Sequence, residues 1–306
     1  MLDVLAGFST ITVVVAVGYL LAWRGVLDEV AQHLLSRVAF FVATPALLLV
    51  ILARTPLSGV LSPMLVASAL SVVPGIGLWW LISRRWSLST SDRVLGSMAA
   101  TYVNSANLGI PVAAYVLGDV SLMAPVLLFQ LLIFTPVCLS LLDGEQAGLR
   151  PRPWTLIKTA LRNPITIGSV IGLVISVSQV HVPELVLRPI ELIGNIAVPA
   201  MLLSFGVSLR LGPRPGAHGS SPLIATLVAL KLVVQPLAAA AIGVAFGLHG
   251  HELYAVCVAA ALPTAQNIFT LAMRYQRSVP LIRDAIFVST FASVPVIFAI
   301  SWIFRG

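Results

Sequence analysis

Of 306 residues, 58% are hydrophobic and only 9% are Asp, Glu, Lys or Arg, with a mean hydropathy of +1.02. Soluble domains hold roughly 25% charged residues, so this chain cannot build a water-facing surface, and lipid must cover most of its apolar side chains. The net charge of +7 does not point to nucleic acid, because the basic residues sit singly between apolar blocks. Cys138 and Cys257 fall in apolar stretches and imply no disulfide framework. The first apolar segment starts almost at Met1, without a basic n-region or a cleavage site, and reads as a retained helix.

Apolar runs of about 17 to 25 residues cross the hydrocarbon core as helices. Ten are expected, over residues 4–22, 32–52, 60–82, 94–117, 121–142, 161–179, 184–208, 222–247, 252–273 and 281–303. Cytoplasmic loops concentrate Lys and Arg. Thirteen of the 18 fall in odd-numbered loops, three (Arg54, Arg188, Arg305) in even loops or at a terminus, and two (Arg37, Lys231) inside spans. Odd loops are therefore expected in the cytoplasm and both termini outside.

Sliding the chain against itself by 154 positions pairs VATPALLL (42–49) with IAVPAMLL (196–203), identical at five of eight positions. The same shift pairs Ile11, Thr12 and Gly18 with Ile165, Thr166 and Gly172. Each half holds an odd number of spans, so the halves must enter the membrane from opposite sides. The expected fold is an all-α polytopic membrane protein of ten transmembrane helices in two inverted five-helix repeats, residues 1–142 and 161–306, joined by a short linker over 143–160. Inverted repeats of this kind build many secondary transporters, with substrate held near the midplane at broken helices.

The fourth span contains TYVNSANLGIPVAAY, a polar cluster around Asn104 and Asn107 followed by Gly109 and Pro111. Proline removes a backbone donor and clashes with the carbonyl four residues back, and backbone broken at membrane depth is tolerated only where protein or water satisfies it. The ninth span repeats the device in ALPTAQNIFTLAMRY, with Pro263, Thr264, Gln266 and Asn267. Two such breaks from opposite halves would aim half-helix amino termini at one spot, which favours an anion. The plainer reading of Asn and Gln, hydrogen bonds between neighbouring helices worth about 1 kcal/mol, stands beside it. Pro45 and Pro199 read as kinks. Lys231 lies inside the eighth span, where an ionisable group is costly and a functional hypothesis by default, with snorkelling as the alternative. Arg37 and Glu191 lie nearer helix ends, where interfacial or structural roles are expected. A metal site at His249 and His251 has no support beyond Glu252.

No HExxH helix and no P-loop occurs; neither an enzyme nor a cofactor is expected. The residues carry a family resemblance. GYLLAWRGVL with the VATPALLL block, NSANLGIP at 104–111, and Leu262-Pro263, Phe269, Ala272, Tyr275 and Pro295 together resemble the auxin efflux carrier family, over essentially the whole length. That family includes plant PIN-type auxin exporters and bacterial carriers labelled as malonate or malate transporters. The resemblance implies a scaffold of helices 1, 2, 6 and 7, a transport domain of helices 3–5 and 8–10 with crossed helices 4 and 9, elevator motion, a homodimer and a place in the cell membrane. It maps the family's substrate-binding Asn onto Asn104 and loosely matches a polar support residue to Gln130. The short 143–158 loop and the third span, SALSVVPGIGLWW without an acid, depart from the plant pattern.

The expected function is efflux of a small organic anion, held by Asn104, Asn107, Gly109, Pro111, Pro263, Thr264, Gln266 and Asn267, with Lys231 as charge partner or coupling group. The expected partners are that anion, the bilayer and a second copy. A sodium-coupled carrier of the bile-acid symporter type and a membrane sensor that binds without transporting are the alternatives.

Overall fold

The computed structural model describes residues 2–54, 62–109, 112–146, 148, 164–211 and 221–305. Within them the only regular secondary structure besides helix is one isolated β-bridge. The main helices are α1 (Leu2–Trp23), α2 (Glu29–Arg54), α3 (Pro63–Ile82), α4 (Thr90–Thr101), α5 (124–146), α6 (Pro164–Ser178), α7 (Glu184–Leu211), α8 (Pro222–Ala245), α9 (Gly250–Ala261), α10 (Asn267–Tyr275) and α11 (Val279–Arg305). Among the described residues, α2, α3, α7, α8 and α11 are long and apolar enough to cross a membrane by themselves, and Thr12–Trp23 and Ile167–Ser178 are shorter apolar stretches. Leu185, Leu192 and Trp302 are exposed at 86%, 71% and 77%, as an apolar surface solvated by lipid requires. Residues 149–160 of the expected linker lie outside the described residues, and helix α5 runs past its expected end to residue 146.

Three helices run on into a proline by way of a π-helical turn. Pro45, Pro136 and Pro236 each follow a five-residue π-helical turn, at Ala39–Ala43, Gln130–Phe134 and Leu230–Val234. The wider turn separates the proline ring from the carbonyl it would strike in an α-helix. Gln130 and Lys231 stand in two of these turns. Pro199 follows an interruption in α7 at residues 195–196.

The helices form two groups. In the first, α1 packs chiefly on α7, α6 on α2, and α2 on α7. In the second, α3 packs on α4 and α8, α8 on α9, α5 on α4, and α11 on α9 and α10. Glycines allow the closest approaches in the first group. A Cβ on Gly18 would stand 2.4 Å from the Leu203 carbonyl oxygen, and one on Gly172 would stand 2.5 Å from that of Leu49. Gly18 and Gly172 are 154 positions apart, and so are Leu49 and Leu203: one contact is made twice, with the partners exchanged between halves. On α7 a Cβ at Gly206 would stand 2.1 Å from the Val15 carbonyl oxygen. Gly206→Val must therefore separate α1 from α7, at the about 1–3 kcal/mol or more that overpacking costs. Size-exclusion chromatography of the detergent-extracted variant should show little monodisperse protein, whereas Gly77→Ala, with nothing within 4 Å, should elute as the wild type does.

Charge decorates this frame more than it holds it. Arg54 at the end of α2 meets Glu191 at 3.0 Å and Glu184 at 3.4 Å on α7, but all three side chains are well exposed. Exposed pairs contribute about 0–1 kcal/mol, so Arg54→Gln should leave the melting temperature nearly unchanged. Arg283 corrects the expectation that placed it with the ninth loop. It lies inside α11, buried, with its guanidinium 2.6 Å from Asp284 Oδ1 and 3.3 Å from the Ser208 carbonyl oxygen that it donates to. An adjacent carboxylate offsets part of the cost of burying an arginine.

Candidate functional site

The break in the ninth span follows from local chemistry. Leu262, before Pro263, is held out of the α region by the proline ring and adopts φ −58° and ψ 148°, which ends α9 at Ala261. The break in the fourth span has no such cause at its own position. Helix α4 stops at Thr101, with Tyr102 extended at φ −85° and ψ 108°, ten positions before Pro111. That proline lies outside the described residues. What holds Tyr102–Asn104 extended is the other break: Val103 and Thr264 form an antiparallel bridge, Asn104 N donates to Pro263 O (2.9 Å) and Ala265 N donates to Tyr102 O (3.2 Å).

Side chains complete the junction. Asn104 Nδ2 donates to Gln266 Oε1 at 2.6 Å, both residues being buried. Thr264 Oγ1 donates to Ala99 O (2.6 Å), and its backbone N–H donates to Ser289 Oγ of α11 (3.2 Å). Beyond Asn104 the chain resumes in a π-helical turn over Ser105–Gly109, whose Leu108 and Gly109 amides donate to Asn104 O. Gly109 needs to be small: a Cβ there would stand 3.1 Å from Leu262 Cδ1 and 3.2 Å from Met123 Sδ. The backbone of Asn107 belongs to this turn, and its side chain lies outside the described residues. Asn267 opens α10, and its buried Oδ1 has no hydrogen-bond partner among the described residues.

Two helices brace the junction from outside it. From α5, Gln130 Nε2 donates to Val103 O (3.0 Å) while its Oε1 accepts from Ser105 Oγ (2.6 Å). From α8, Gln235 Nε2 donates to Thr101 O (2.9 Å), and Lys231 Nζ donates to Ala260 O (2.6 Å) and to Gln235 Oε1 (2.8 Å). Thr101 and Ala260 lie at the carboxyl ends of α4 and α9, where carbonyls lose their intrahelical partners. Lys231 is fully buried and its amine is engaged on these acceptors, so it does not snorkel.

Asn104, Pro263, Thr264 and Gln266 thus meet, Asn267 borders them, and Gln130 and Lys231 support them from behind. Gln235 and Ser289 are not singled out by the sequence, and Ser105 stands there only as a member of the fourth-span polar cluster. Gln235 was legible there, one helical turn after Lys231 in an otherwise apolar span. Gln266 also lines a cavity of about 200 Å³ whose walls come from α1 (Val15, Tyr19), α7 (Phe205, Leu209) and α11 (Phe287, Phe291).

A family model described as "Membrane transport protein" matches residues 8–301. The chain belongs to the auxin efflux carrier family of membrane transport proteins. It is 28% identical over 298 residues to an uncharacterized transporter of Methanothermobacter thermautotrophicus, covering 93% of each chain. It is 22% identical over 304 residues to an uncharacterized transporter of Methanocaldococcus jannaschii, covering 96% of each. Auxin efflux carrier component 4 of Arabidopsis thaliana is 28% identical over 141 residues, which is 44% of this chain and 23% of the plant protein. The archaeal relatives match at nearly full length and the plant carrier over a quarter of its own.

Proposed function

We propose that this member of the auxin efflux carrier family is a secondary carrier of a small organic anion, bound where the two breaks meet and moved by an elevator-type displacement of one helix group against the other. The observation that carries the reading is the hydrogen-bonded junction of 102–104 with 262–266, opening through Gln266 into the cavity between the groups. Its polar side chains are neutral amides and hydroxyls, and the ionisable group bracing it is a lysine. Half-helix amino termini begin beside it, and helix termini of this sign favour an anion. The apolar, aromatic walls of the cavity suit a carboxylate with an apolar body.

The inverted ten-helix repeat is part of this proposal. The duplicated Gly18–Leu203 and Gly172–Leu49 contact supports it, as does the exchange of partners between α1–α7 and α6–α2. On this reading α1, α2, α6 and α7 form the scaffold, and α3–α5 with α8–α11 form the moving domain. The cell membrane, the cytoplasmic odd loops and a homodimer through the scaffold belong to the same reading. An inside-negative potential supplies about 2.3 kcal/mol per exported charge per 100 mV, so export needs no coupled ion. The test is efflux from proteoliposomes loaded with a panel of mono- and dicarboxylates and indole acids, with and without sodium. Saturable, sodium-independent efflux of one class is expected. Binding without flux would favour a sensor, and sodium-dependent flux a symporter.

A further inference from the structure

We propose a second anion site, away from the junction, in the cavity of about 310 Å³ between α2 and α10. Arg37 and His33 of α2 and Arg274 of α10 line it together with Gln276, Phe40 and Phe41. The ion pairs among the described residues involve Arg54, Arg188 and Arg283, so neither Arg37 nor Arg274 has a carboxylate partner among them. The Asp143 carboxylate accepts from the Tyr275 hydroxyl at 2.5 Å. An adjoining cavity of about 240 Å³ shares His33 and Met273 and brings in one acid, Glu29. Two guanidinium groups and an imidazole therefore face one space with little negative charge against them.

The geometry is that of a receiver. The Arg274 guanidinium lies over the rings of Phe40 (4.4 Å), Phe41 (5.1 Å) and Tyr275 (5.5 Å). A guanidinium held over aromatic faces can still present N–H donors to an oxyanion. Arg37 faces the same space from another helix, so one phosphate or carboxylate group can be gripped from both sides. The volume is about ten times the 30 Å³ that a water occupies in the liquid, enough for a small oxyanion or the headgroup of an anionic lipid. Phe41, one of the lining residues, is 48% exposed, which leaves a path for an acyl chain along α2, and basic pockets between membrane helices bind such headgroups. The shared chemistry is the oxyanion, and the two sources separate by experiment. Binding here does not rest on the transport reading.

The test is thermal melting of the full-length protein in neutral detergent, titrated with inorganic phosphate against sodium chloride of equal ionic strength, and separately with phosphatidylglycerol against phosphatidylcholine. Wild type, Arg37→Gln/Arg274→Gln, Arg274→Lys and Asn104→Ala are compared. At least one anionic probe is expected to raise the melting temperature of wild type and of Asn104→Ala. The double glutamine variant should lose that rise, and Arg274→Lys, which keeps the charge and loses the fork, should retain only part of it. A rise with phosphate assigns a soluble anion, and a rise with phosphatidylglycerol alone assigns a lipid. The proposal is overturned if wild type answers neither probe or the double variant answers as wild type does. If the double variant does not elute as a folded protein, Arg274→Lys and Arg37→Gln alone decide by the same criterion. A defect at the junction would show instead as an Asn104→Ala protein that answers phosphate yet has lost its carboxylate.

Discussion

Asn104→Ala is expected to cut carrier-mediated efflux of the transported carboxylate by roughly ten- to a hundredfold. A hydrogen bond to a charged partner contributes about 1.5–3 kcal/mol, and each 1.4 kcal/mol is a factor of about ten in affinity. The truncation also removes the Nδ2 donor from Gln266 Oε1, now 2.6 Å away. The backbone pairing of the breaks should survive, because Asn104 N to Pro263 O and Ala265 N to Tyr102 O need no side chain from residue 104. The variant should therefore elute as the wild type does while losing ligand-dependent stabilisation. Asn104→Asp should lose more than Asn104→Ala, since it sets a carboxylate against the anion. Initial efflux rates from proteoliposomes, together with melting curves in the presence of the same carboxylates, give the comparison. Full efflux in Asn104→Ala would remove the junction from the binding site.

Lys231→Met should destabilise the protein without abolishing ligand recognition. The methionine fills much of the volume but strands Ala260 O and Gln235 Oε1, both acceptors of the Nζ protons. A buried acceptor left unpaired costs about 1–3 kcal/mol. Gln235, freed from Lys231, also holds Thr101 O less firmly, so both α4 and α9 lose definition at their carboxyl ends. The expected result is a clear drop in melting temperature with the carboxylate-induced rise retained in part. Gln235→Leu should reproduce a smaller drop. An unchanged melting temperature would mean that the amine does not brace these ends, and loss of the ligand response alone would return Lys231 to the role of direct charge partner.

The two breaks show how far the residues themselves reach. Pro263 dictates its break locally, because the residue before a proline is kept out of the helical region wherever it stands. In the fourth span the polar cluster marked a break, and Gly109-Ile-Pro111 was its legible cause, yet α4 ends at Thr101. Its position is set by pairing with Leu262–Gln266, residues more than 150 positions away, and no local pattern encodes which backbone amide meets which carbonyl. Lys231 is similar. An amine in an apolar span announces a partner, but only packing of α8 against α4 and α9 names Ala260 O and Gln235 as the acceptors. Arg283 read as a loop residue because nothing local shows that α11 begins before it and that its guanidinium pairs with Asp284 and reaches Ser208 O across the helix interface.

The sequence by itself determined that lipid covers the chain, that the two halves echo each other at 154 positions, that the fourth and ninth spans are interrupted, and which family the motifs resemble. The first follows from composition, the repeat from aligning the chain with itself, the interruptions from polar residues and prolines set in apolar spans, and the resemblance from the motifs, all of which are read from the chain without its packing. The tertiary structure decided which carbonyls the buried amides and amine satisfy, that Gly18 and Gly172 make one contact in duplicate, and that His33, Arg37 and Arg274 share a cavity. Each of these is a matter of which distant backbone comes within hydrogen-bonding or van der Waals range, and that is fixed only when the helices have packed.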